Sequence, residues 1–171
     1  MANTVSATLQ MFLQAVETLD LDEDQATDPS ITHRISGSGY TSQLAINAAT
    51  TPVASKVWSD EVAMTDGDES IDLTALAREV LPTVDMAGLK IQAFMIVADS
   101  ANTAAIVIKP HATNGYNLFG DADGQVTLFA GGAIMGYMPE DLPDVANGSA
   151  DIIQITSSDL DAKFKIILVA G

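Results

Sequence analysis

The chain has 171 residues, of which 47% are hydrophobic, and its 23 acidic and 7 basic residues give a formal net charge of -16. It contains no cysteine, which excludes disulfides, thiolate metal sites and a cysteine nucleophile, while the apolar content is sufficient for one domain with a sizeable core. Such acidity disfavours binding to nucleic acid or to anionic membranes, so neither is expected as a partner.

The N-terminal stretch resembles neither a signal peptide nor an anchor. Met1–Val16 has no basic region and no small-residue cleavage site, and no apolar run approaches the roughly 20 residues that span a bilayer. We therefore expect a soluble, unanchored protein. Apolar residues over Thr4–Leu19 fit both a helical stripe and a strand alternation, and the strand-like character of the later chain favours a strand.

The next segments predict short strands separated by loops. Ile31–Ile35 alternates apolar and polar residues, which is typical of a half-buried strand, and residues 40–52 are extended or loop. Ala54–Met64 predicts a strand that ends at the Asp66-Gly67 turn. We therefore assign residues 1–53 to an N-terminal arm or early strands, and residues 54–171 to the core of a domain that is continuous with them.

One short helix is predicted after this turn. Asp72 can cap free amides of a first turn, Leu73, Leu76, Ala77 and Val80 form one stripe, and Pro82 ends the segment.

The remainder of the chain predicts β-structure. Leu89–Ala98 places Leu89, Ile91, Ala93, Met95 and Val97 on one face, and it forms a hairpin with Ala104–Lys109. Further strands are predicted over the ranges 125–130, 133–138, 150–156 and 163–169, with a tight bend at Gly131-Gly132 and with Phe164, Ile166 and Leu168 on one face of the last strand. About seven to nine short strands with one helix predict an all-β fold, a jelly-roll-like antiparallel β-sandwich.

The motifs of common enzymes are absent from the sequence. His33 and His111 are the only histidines, which excludes a three-histidine metal site, and Ser38 between two glycines lacks the strand-to-helix elbow of a serine hydrolase. No glycine-rich phosphate loop occurs. We expect no catalytic residue and no cofactor, although a hydrolase with a pair of carboxylates stays open as an alternative because acidic residues are so abundant.

Two acidic loops are candidates for weak calcium binding. Asp20, Asp22 and Asp24 occupy the first, third and fifth positions of a calcium-loop pattern, but Gln25 and Ile31 replace the glycine and glutamate that an EF-hand needs. Asp121 and Asp123 before Gly124 are similar. Clustered carboxylates suit a hard cation, but a solvated loop is the ordinary explanation for both segments.

The C-terminal two-thirds of the chain resembles a family of small β proteins from tailed phages. The resemblance rests on an order of strands and turns rather than on catalytic signatures, and it covers roughly residues 54–171. Its segments are Ser70–Leu76 (SIDLTAL), Leu89–Ala98 with Ala104–Lys109, Asn117–Gly124, Val126–Met138 around Gly131-Gly132, and Ala150–Gly171.

The resemblance implies a virion structural protein that decorates or cements the outside of a phage head, or forms a head spike. It implies a jelly-roll-type fold, self-association as a homotrimer, the major capsid protein as partner, and a location on the capsid surface after a soluble stage in the host cytoplasm. Phe12 and Ile134 are candidates for the contact between subunits, and the N-terminal segment or the loops at one end of the sandwich are expected to face the shell. A carbohydrate- or receptor-binding β-sandwich of a phage fibre or bacterial surface protein is the alternative.

Overall fold

A computed structural model describes residues 5–12, 15–19, 31–35, 41–47, 49–50, 53–78, 82–138 and 142–171. Every helix or strand found within these residues is a β-strand, and the strands are numbered β1–β12 in chain order. Contacts divide the chain into two units, one formed by residues 8–45 and the other by residues 1–7 together with 46–171.

The N-terminal region holds four strands, which form two pairs. β2 and β3 run antiparallel, with Ala15 opposite Ile35 and Leu19 opposite Ile31, whereas β1 pairs with β4. The strand that we predicted within Thr4–Leu19 is therefore confirmed. The four strands are β1 (Ser6–Phe12), β2 (Ala15–Leu19), β3 (Ile31–Ile35) and β4 (Thr41–Asn47).

The rest of the chain forms a β-sandwich of two four-stranded antiparallel sheets. The first sheet has the order β10-β7-β12-β5, and the second has the order β6-β11-β8-β9. The eight strands are β5 (Lys56–Ala63), β6 (Asp68–Asp72), β7 (Ile91–Ala98), β8 (Ile106–Pro110), β9 (Val126–Leu128), β10 (Ala133–Tyr137), β11 (Ile152–Ser157) and β12 (Lys163–Ala170).

The strands pair in a nested order. β5 pairs with β12, β6 with β11, β7 with β10, and β8 with β9, so the β8–β9 connection alone stays within one sheet of the sandwich. The predicted hairpin between Leu89–Ala98 and Ala104–Lys109 is therefore wrong, because β7 and β8 lie in different sheets. The short connection between them crosses from one sheet to the other. The spacing of strands along the sequence does not distinguish such a crossing from a hairpin within one sheet.

The core lies between the sheets and is built by alternation along each strand. Phe164, Ile166 and Leu168 of β12 are fully buried on one face, as predicted, and Ile153 and Ile155 of β11 meet them from the second sheet. Each such side chain stabilises the fold by about 1.5–3 kcal/mol relative to an exposed one.

The face predicted for β7 is only partly correct. Phe94, Ile96 and Ala98 point into the core with Ile91, whereas Met95 and Val97 are half-buried outside the core cluster. The register between β7 and β12 shifts at this end, since Val169 lies opposite Ala93 but Ala170 lies opposite Ile91. This bulge inserts Gln92 and reverses the alternation, so Ile91 faces inward although it shares a parity with Met95.

The predicted helix after Asp72 is absent from the described residues, which makes that prediction wrong. Asp72 does accept hydrogen bonds, from the amide and hydroxyl of Thr74 at 2.8 and 2.7 Å. The following backbone, however, bonds to distant partners, with Leu73 N donating to Asp151 O and Leu76 exchanging two bonds with Val84. Leu73 and Leu76 are buried as their spacing indicated, but in a core-facing loop rather than on a helix.

A tight turn links the two sheets between β5 and β6. Asp66 and Gly67 both have left-handed backbone angles, with φ of 58° and 72°, which confirms the predicted Asp-Gly turn. Strand β6 follows it directly. No strand was predicted there because Asp68, Glu69 and Ser70 are polar, and only Ile71 points into the core.

Candidate functional site

Part of the outer surface of the first sheet is apolar, and we call this part the apolar sheet face. Its centre consists of Met95 and Val97 of β7, Met135 of β10 and Ile167 of β12, all half-buried. Val57 of β5 and Tyr137 of β10 lie at its margin, each 36% exposed. These side chains alternate with the core residues of the same strands, so they point away from the interior.

The strand register gathers these side chains into neighbouring rows. Met135 lies opposite Met95, which in turn lies opposite Ile167, and Val97 lies opposite Ala133 and Lys165. Because residues that face each other on one side of a sheet have their Cβ atoms about 4.5–5.5 Å apart, Met135, Met95 and Ile167 form a continuous apolar strip across three strands. The strip continues into a broad concavity of about 1200 Å³ beside β5.

The charges that line this concavity balance each other. They are Asp60, Glu61, Arg78 and Lys165, two acidic and two basic residues on a chain whose net charge is -16. Lys165 Nζ lies 3.3 Å from Glu61 Oε2 in a solvent-exposed ion pair. The lining of the concavity therefore adds no net charge to the repulsion that a chain of this acidity exerts on a second copy.

The edge of the first sheet at β5 is covered by the chain itself. Arg78 donates a side-chain hydrogen bond to the carbonyl of Val57, and the indole Nε1 of Trp58 donates to Ala77 O at 2.7 Å. Both bonds hold the loop after β6 against the strand. Covering an edge in this way hinders the addition of a further strand beside β5.

The outer surface of the second sheet is polar by contrast. Its central rows contain Thr156 beside Asp68 and Val107, and Gln154 beside Ser70 and Lys109. Gln154 Nε2 also donates to the carboxylate of Asp68 at 3.1–3.2 Å. A sandwich with both outer surfaces in water has polar residues on both, so the apolar sheet face is the exception in this fold.

Four loops at one end of the sandwich are joined by hydrogen bonds, and we call this end the tip. It comprises residues 64–67, 99–105, 129–132 and 158–162. Thr103 N donates to Asp159 Oδ2 at 2.7 Å, Gly67 N to Leu160 O at 3.1 Å, and Gly131 N to Asp99 O at 3.3 Å. The bonds to Asp159 lower the pKa of its carboxyl below the usual value, because they favour the ionised form.

Two large apolar side chains project from the tip into solvent. Phe129 is 75% exposed and Leu160 is 58% exposed. Phe129 precedes the Gly131-Gly132 bend, which the structure confirms through a left-handed Gly131 (φ 74°) and a hydrogen bond from Gly132 N to Phe129 O at 2.7 Å. The loop that presents Phe129 is thus held in place by its own backbone hydrogen bonds.

The residues predicted to form a subunit contact fall in different places. Ile134 is half-buried and packs against the core opposite Ile96, while its neighbour Met135 points to the apolar sheet face. Phe12 ends β1, but its side chain lies outside the described residues. Whether either residue contributes to an oligomer stays a prediction.

The structure describes only one of the two predicted calcium loops. Asp20, Asp22 and Asp24 lie outside the described residues. Asp121 and Asp123 are exposed, and Asp121 Oδ1 accepts from Asp123 N at 3.0 Å, which is a turn closed within the loop. Among the residues that the structure describes, no group of three or more His, Cys, Asp or Glu side chains could hold a metal ion.

The two histidines lie in different parts of the chain. His33 lies in β3, and His111 Nδ1 accepts from Thr113 N at 3.2 Å in an exposed turn. No helix in the described part of the chain is long and apolar enough to cross a membrane.

Sequence patterns indicated the apolar sheet face only indirectly. Met95 and Val97 were predicted to share an apolar face, but the run IQAFMIVA is apolar at both parities, so it does not show which parity faces the core. Ile167 sits in the equally unbroken run IILVA. A continuous apolar run of this kind indicates that both faces of a strand are shielded from water. Phe129 gave no signal, since its exposure depends on the loop that carries it.

No protein-family model matches the chain, and no curated protein shows significant sequence similarity to it.

Proposed function

We propose that this protein is a virion structural protein that decorates or cements the outside of a phage head as a homotrimer, without enzymatic activity. The apolar sheet face is the observation that carries the proposal. The phage resemblance of residues 54–171 supplies the setting, and the major capsid protein is the partner that this setting implies.

We further propose that the sandwich is a jelly roll. A jelly roll has eight strands in two sheets, and it occurs in viral capsid proteins, lectins and cupins. The nested pairing of β5 with β12, β6 with β11, β7 with β10 and β8 with β9 supports this assignment, since it is the order produced when one long hairpin folds over on itself. Lectins and cupins share the fold, so function has to be argued from the surfaces.

The apolar sheet face is assigned to contact between copies of the chain. Met95, Met135 and Ile167 form a strip on a surface whose lining charges balance, and a second copy can approach it without the repulsion expected elsewhere on so acidic a protein. A closed ring of three subunits buries such a face once per subunit, and the covered β5 edge prevents growth into open chains of strands.

We assign the contact with the capsid shell to the tip. Phe129 and Leu160 project from loops that are tied together through Asp159 and Gly131, which matches the expectation that loops at one end of the sandwich face the capsid. Exposed aromatic side chains on rigid supports are typical anchors in protein interfaces.

The oligomeric state tests the first assignment. Light scattering of the purified protein is expected to give three times the 17.9 kDa of one chain. Ile167→Glu and Met95→Lys place a charge in the strip and are expected to release monomers, whereas Thr156→Glu on the polar outer surface is the matched control. A wild-type monomer, or trimers that survive both charged variants with unchanged circular dichroism, would contradict it.

Immunogold labelling tests the location. An antiserum against the purified chain is expected to label the heads of phage particles produced by cells that carry the gene. Label confined to tail fibres would favour the alternative of a receptor-binding module, and absence of label from purified particles would overturn the virion assignment. Phe129→Ser is expected to leave the trimer intact and to reduce the number of copies on each head.

A further inference from the structure

Two asparagines of the chain precede a glycine, and the fold holds them differently. They are Asn114 before Gly115 and Asn147 before Gly148. In such a pair the backbone nitrogen of the glycine can attack the side-chain carbonyl carbon of the asparagine, because glycine has no Cβ to obstruct the approach. A five-membered succinimide forms, ammonia leaves, and water opens the ring to aspartate or isoaspartate.

Asn114 is held at both its side chain and its backbone. Assigned from its hydrogen-bond partners, its amide nitrogen donates to Gly148 O and Thr113 O, each at 3.2 Å. Its backbone carbonyl accepts from Asp151 N at 3.0 Å and from Ile152 N at 2.9 Å. The side chain has to break both of its own bonds before it can react, so folding protects Asn114 from deamidation.

Asn147 lies in an exposed turn whose two ends are tied together. Ala146 and Ala150 exchange backbone hydrogen bonds of 3.0 and 2.8 Å across the turn, and Gly148 within it has a left-handed φ of 76°. Asn147 itself is exposed, and its side chain makes no hydrogen bond to any residue that the structure describes. A Cβ added at Gly148 would meet no atom within 4 Å. The side chain of Asn147 can therefore rotate without breaking a hydrogen bond.

Asp151 accepts the proton that the reaction has to remove. Its Oδ2 accepts the hydrogen bond of Gly148 N, and its Oδ1 has no partner among the described residues, although the residue is only 4% exposed. A base within hydrogen-bond reach of a proton can take it during the reaction. The hydrogen bond lies in the plane of the peptide, whereas the nitrogen attacks from above that plane, so the carboxylate leaves the nitrogen accessible.

We propose that the chain deamidates itself at Asn147, with Asp151 as the base. Gly148 N passes its proton to Asp151 Oδ2 and bonds to the side-chain carbonyl carbon of Asn147. The bond from that carbon to the amide nitrogen breaks, the proton passes to the departing nitrogen, and ammonia leaves. Water then opens the succinimide. Isoaspartate lengthens the backbone of the turn by one carbon, which disturbs the hydrogen bond of Gly148 to Asp151. The reaction needs one chain alone and is independent of the proposed assembly.

Peptide mass spectrometry of the purified protein tests the selectivity. In mildly alkaline buffer, the peptide with Asn147 is expected to convert at least about tenfold faster than the peptide with Asn114, which has two hydrogen bonds to break. In urea the two rates should converge, and Asn147 should react no faster there than in the folded protein, because Asp151 is in place only after folding. Equal rates in the folded protein, or an Asn147 that reacts faster in urea, would overturn the proposal.

Asp151→Asn tests the base. It preserves the shape of the side chain, so a protein with unchanged circular dichroism is expected to deamidate at Asn147 at least about tenfold more slowly. Asp144→Asn removes an exposed carboxylate nearby in sequence and should leave the rate unchanged. A folded Asp151→Asn protein that reacts as fast as the wild type, or faster, would show that the carboxylate does not take the proton. If this variant does not fold, the comparison of folded and urea-unfolded wild type decides.

Discussion

At the residue scale, a single tyrosine links three segments of the sandwich. Tyr116 is fully buried, and its hydroxyl accepts from Ile91 N at 3.0 Å and donates to Pro143 O at 3.0 Å. Ile91 begins β7 and Pro143 precedes β11, so one hydroxyl satisfies backbone groups from two separate segments. Buried polar groups of this kind stabilise modestly when paired but are costly when orphaned.

Burial of Tyr116 makes the stability of the protein sensitive to alkali. Burial raises the pKa of its hydroxyl from 10.0 to about 12, since the phenolate is poorly solvated in the core. The stabilisation is complete below pH 10 and disappears as the pH rises through 12, a loss of about 2–3 kcal/mol. Urea unfolding at pH 9–12 should show this decline in the wild type. Tyr116→Phe should cost about 1–3 kcal/mol at neutral pH and lack the corresponding part of the alkaline decline; parallel curves would contradict the assignment.

A glycine in β10 makes room for an aromatic ring. Gly136 lies opposite Phe94, and a Cβ added at Gly136 would collide with the ring of Phe94, which also packs edge-on against Phe119 at 5.9 Å. We expect Gly136→Ala to cost about 1–3 kcal/mol in urea unfolding because the ring must move. In a Phe94→Leu background the colliding ring atoms are gone, so the same substitution should cost clearly less. Additive costs would show that the glycine is needed for its backbone instead.

At the scale of elements, the segment after β6 is a loop whose leucine side chains are part of the hydrophobic core. Leu73 and Leu76 are 0% and 3% exposed, and the backbone of Leu76 bridges to Val84 through bonds of 3.0 and 2.8 Å. Trp58 and Arg78 tie the same segment to the edge of the first sheet. The loop therefore closes the space between the sheets at one side.

Truncation of Leu76 measures this contribution. Leu76→Ala should lower the free energy of unfolding by about 2–5 kcal/mol, the range for a buried leucine in a well-packed core. Thr83→Ala, at an exposed position in the same loop, should change it by less than about 0.5 kcal/mol. Urea denaturation followed by the fluorescence of Trp58 gives both values. A small effect of Leu76→Ala would mean that the loop packs loosely.

The sequence predicted strands well and their arrangement poorly, for a physical reason. Alternation along β12 identified Phe164, Ile166 and Leu168 as core because Lys163 and Lys165 mark the other face. Strand β7 has apolar residues at both parities and a bulge at Gln92, so local pattern could not decide its inner face. The spacing of Leu73 and Leu76 fits both a helical turn and this loop, and only their long-range backbone bonds separate the two.

The candidate surfaces were harder to predict than the strands. Ile134 and Met135 are adjacent apolar residues, and only the pairing of β10 with β7 shows that one faces the core and the other the outside. The position of each surface depends on which strands pair, and this follows from the nested order of the strands rather than from any single segment.

At the scale of the whole molecule, the acidic excess of the chain is not shared by the surface around the apolar sheet face. The chain carries a net charge of -16, yet the lining of the apolar sheet face is balanced by Arg78 and Lys165 against Asp60 and Glu61. In the oligomer that we propose, copies of the protein repel one another at a distance and contact one another through this face. Such an arrangement keeps free subunits dispersed and makes association selective for one surface.

Salt is expected to strengthen self-association for this reason. The Debye length falls from about 30 Å at 0.01 M salt to about 10 Å at 0.1 M, which screens repulsion between acidic copies while the apolar contact persists. Sedimentation velocity should therefore show a smaller dissociation constant at about 500 mM than at about 20 mM NaCl. Asp121→Asn with Asp123→Asn removes two negative charges outside the face, so it should tighten association at low salt and have little effect at high salt. Association that weakens as salt is added would mean that ion pairs hold the subunits together, and the interface would then have to be sought on a charged surface instead of on the strip formed by Met95, Met135 and Ile167.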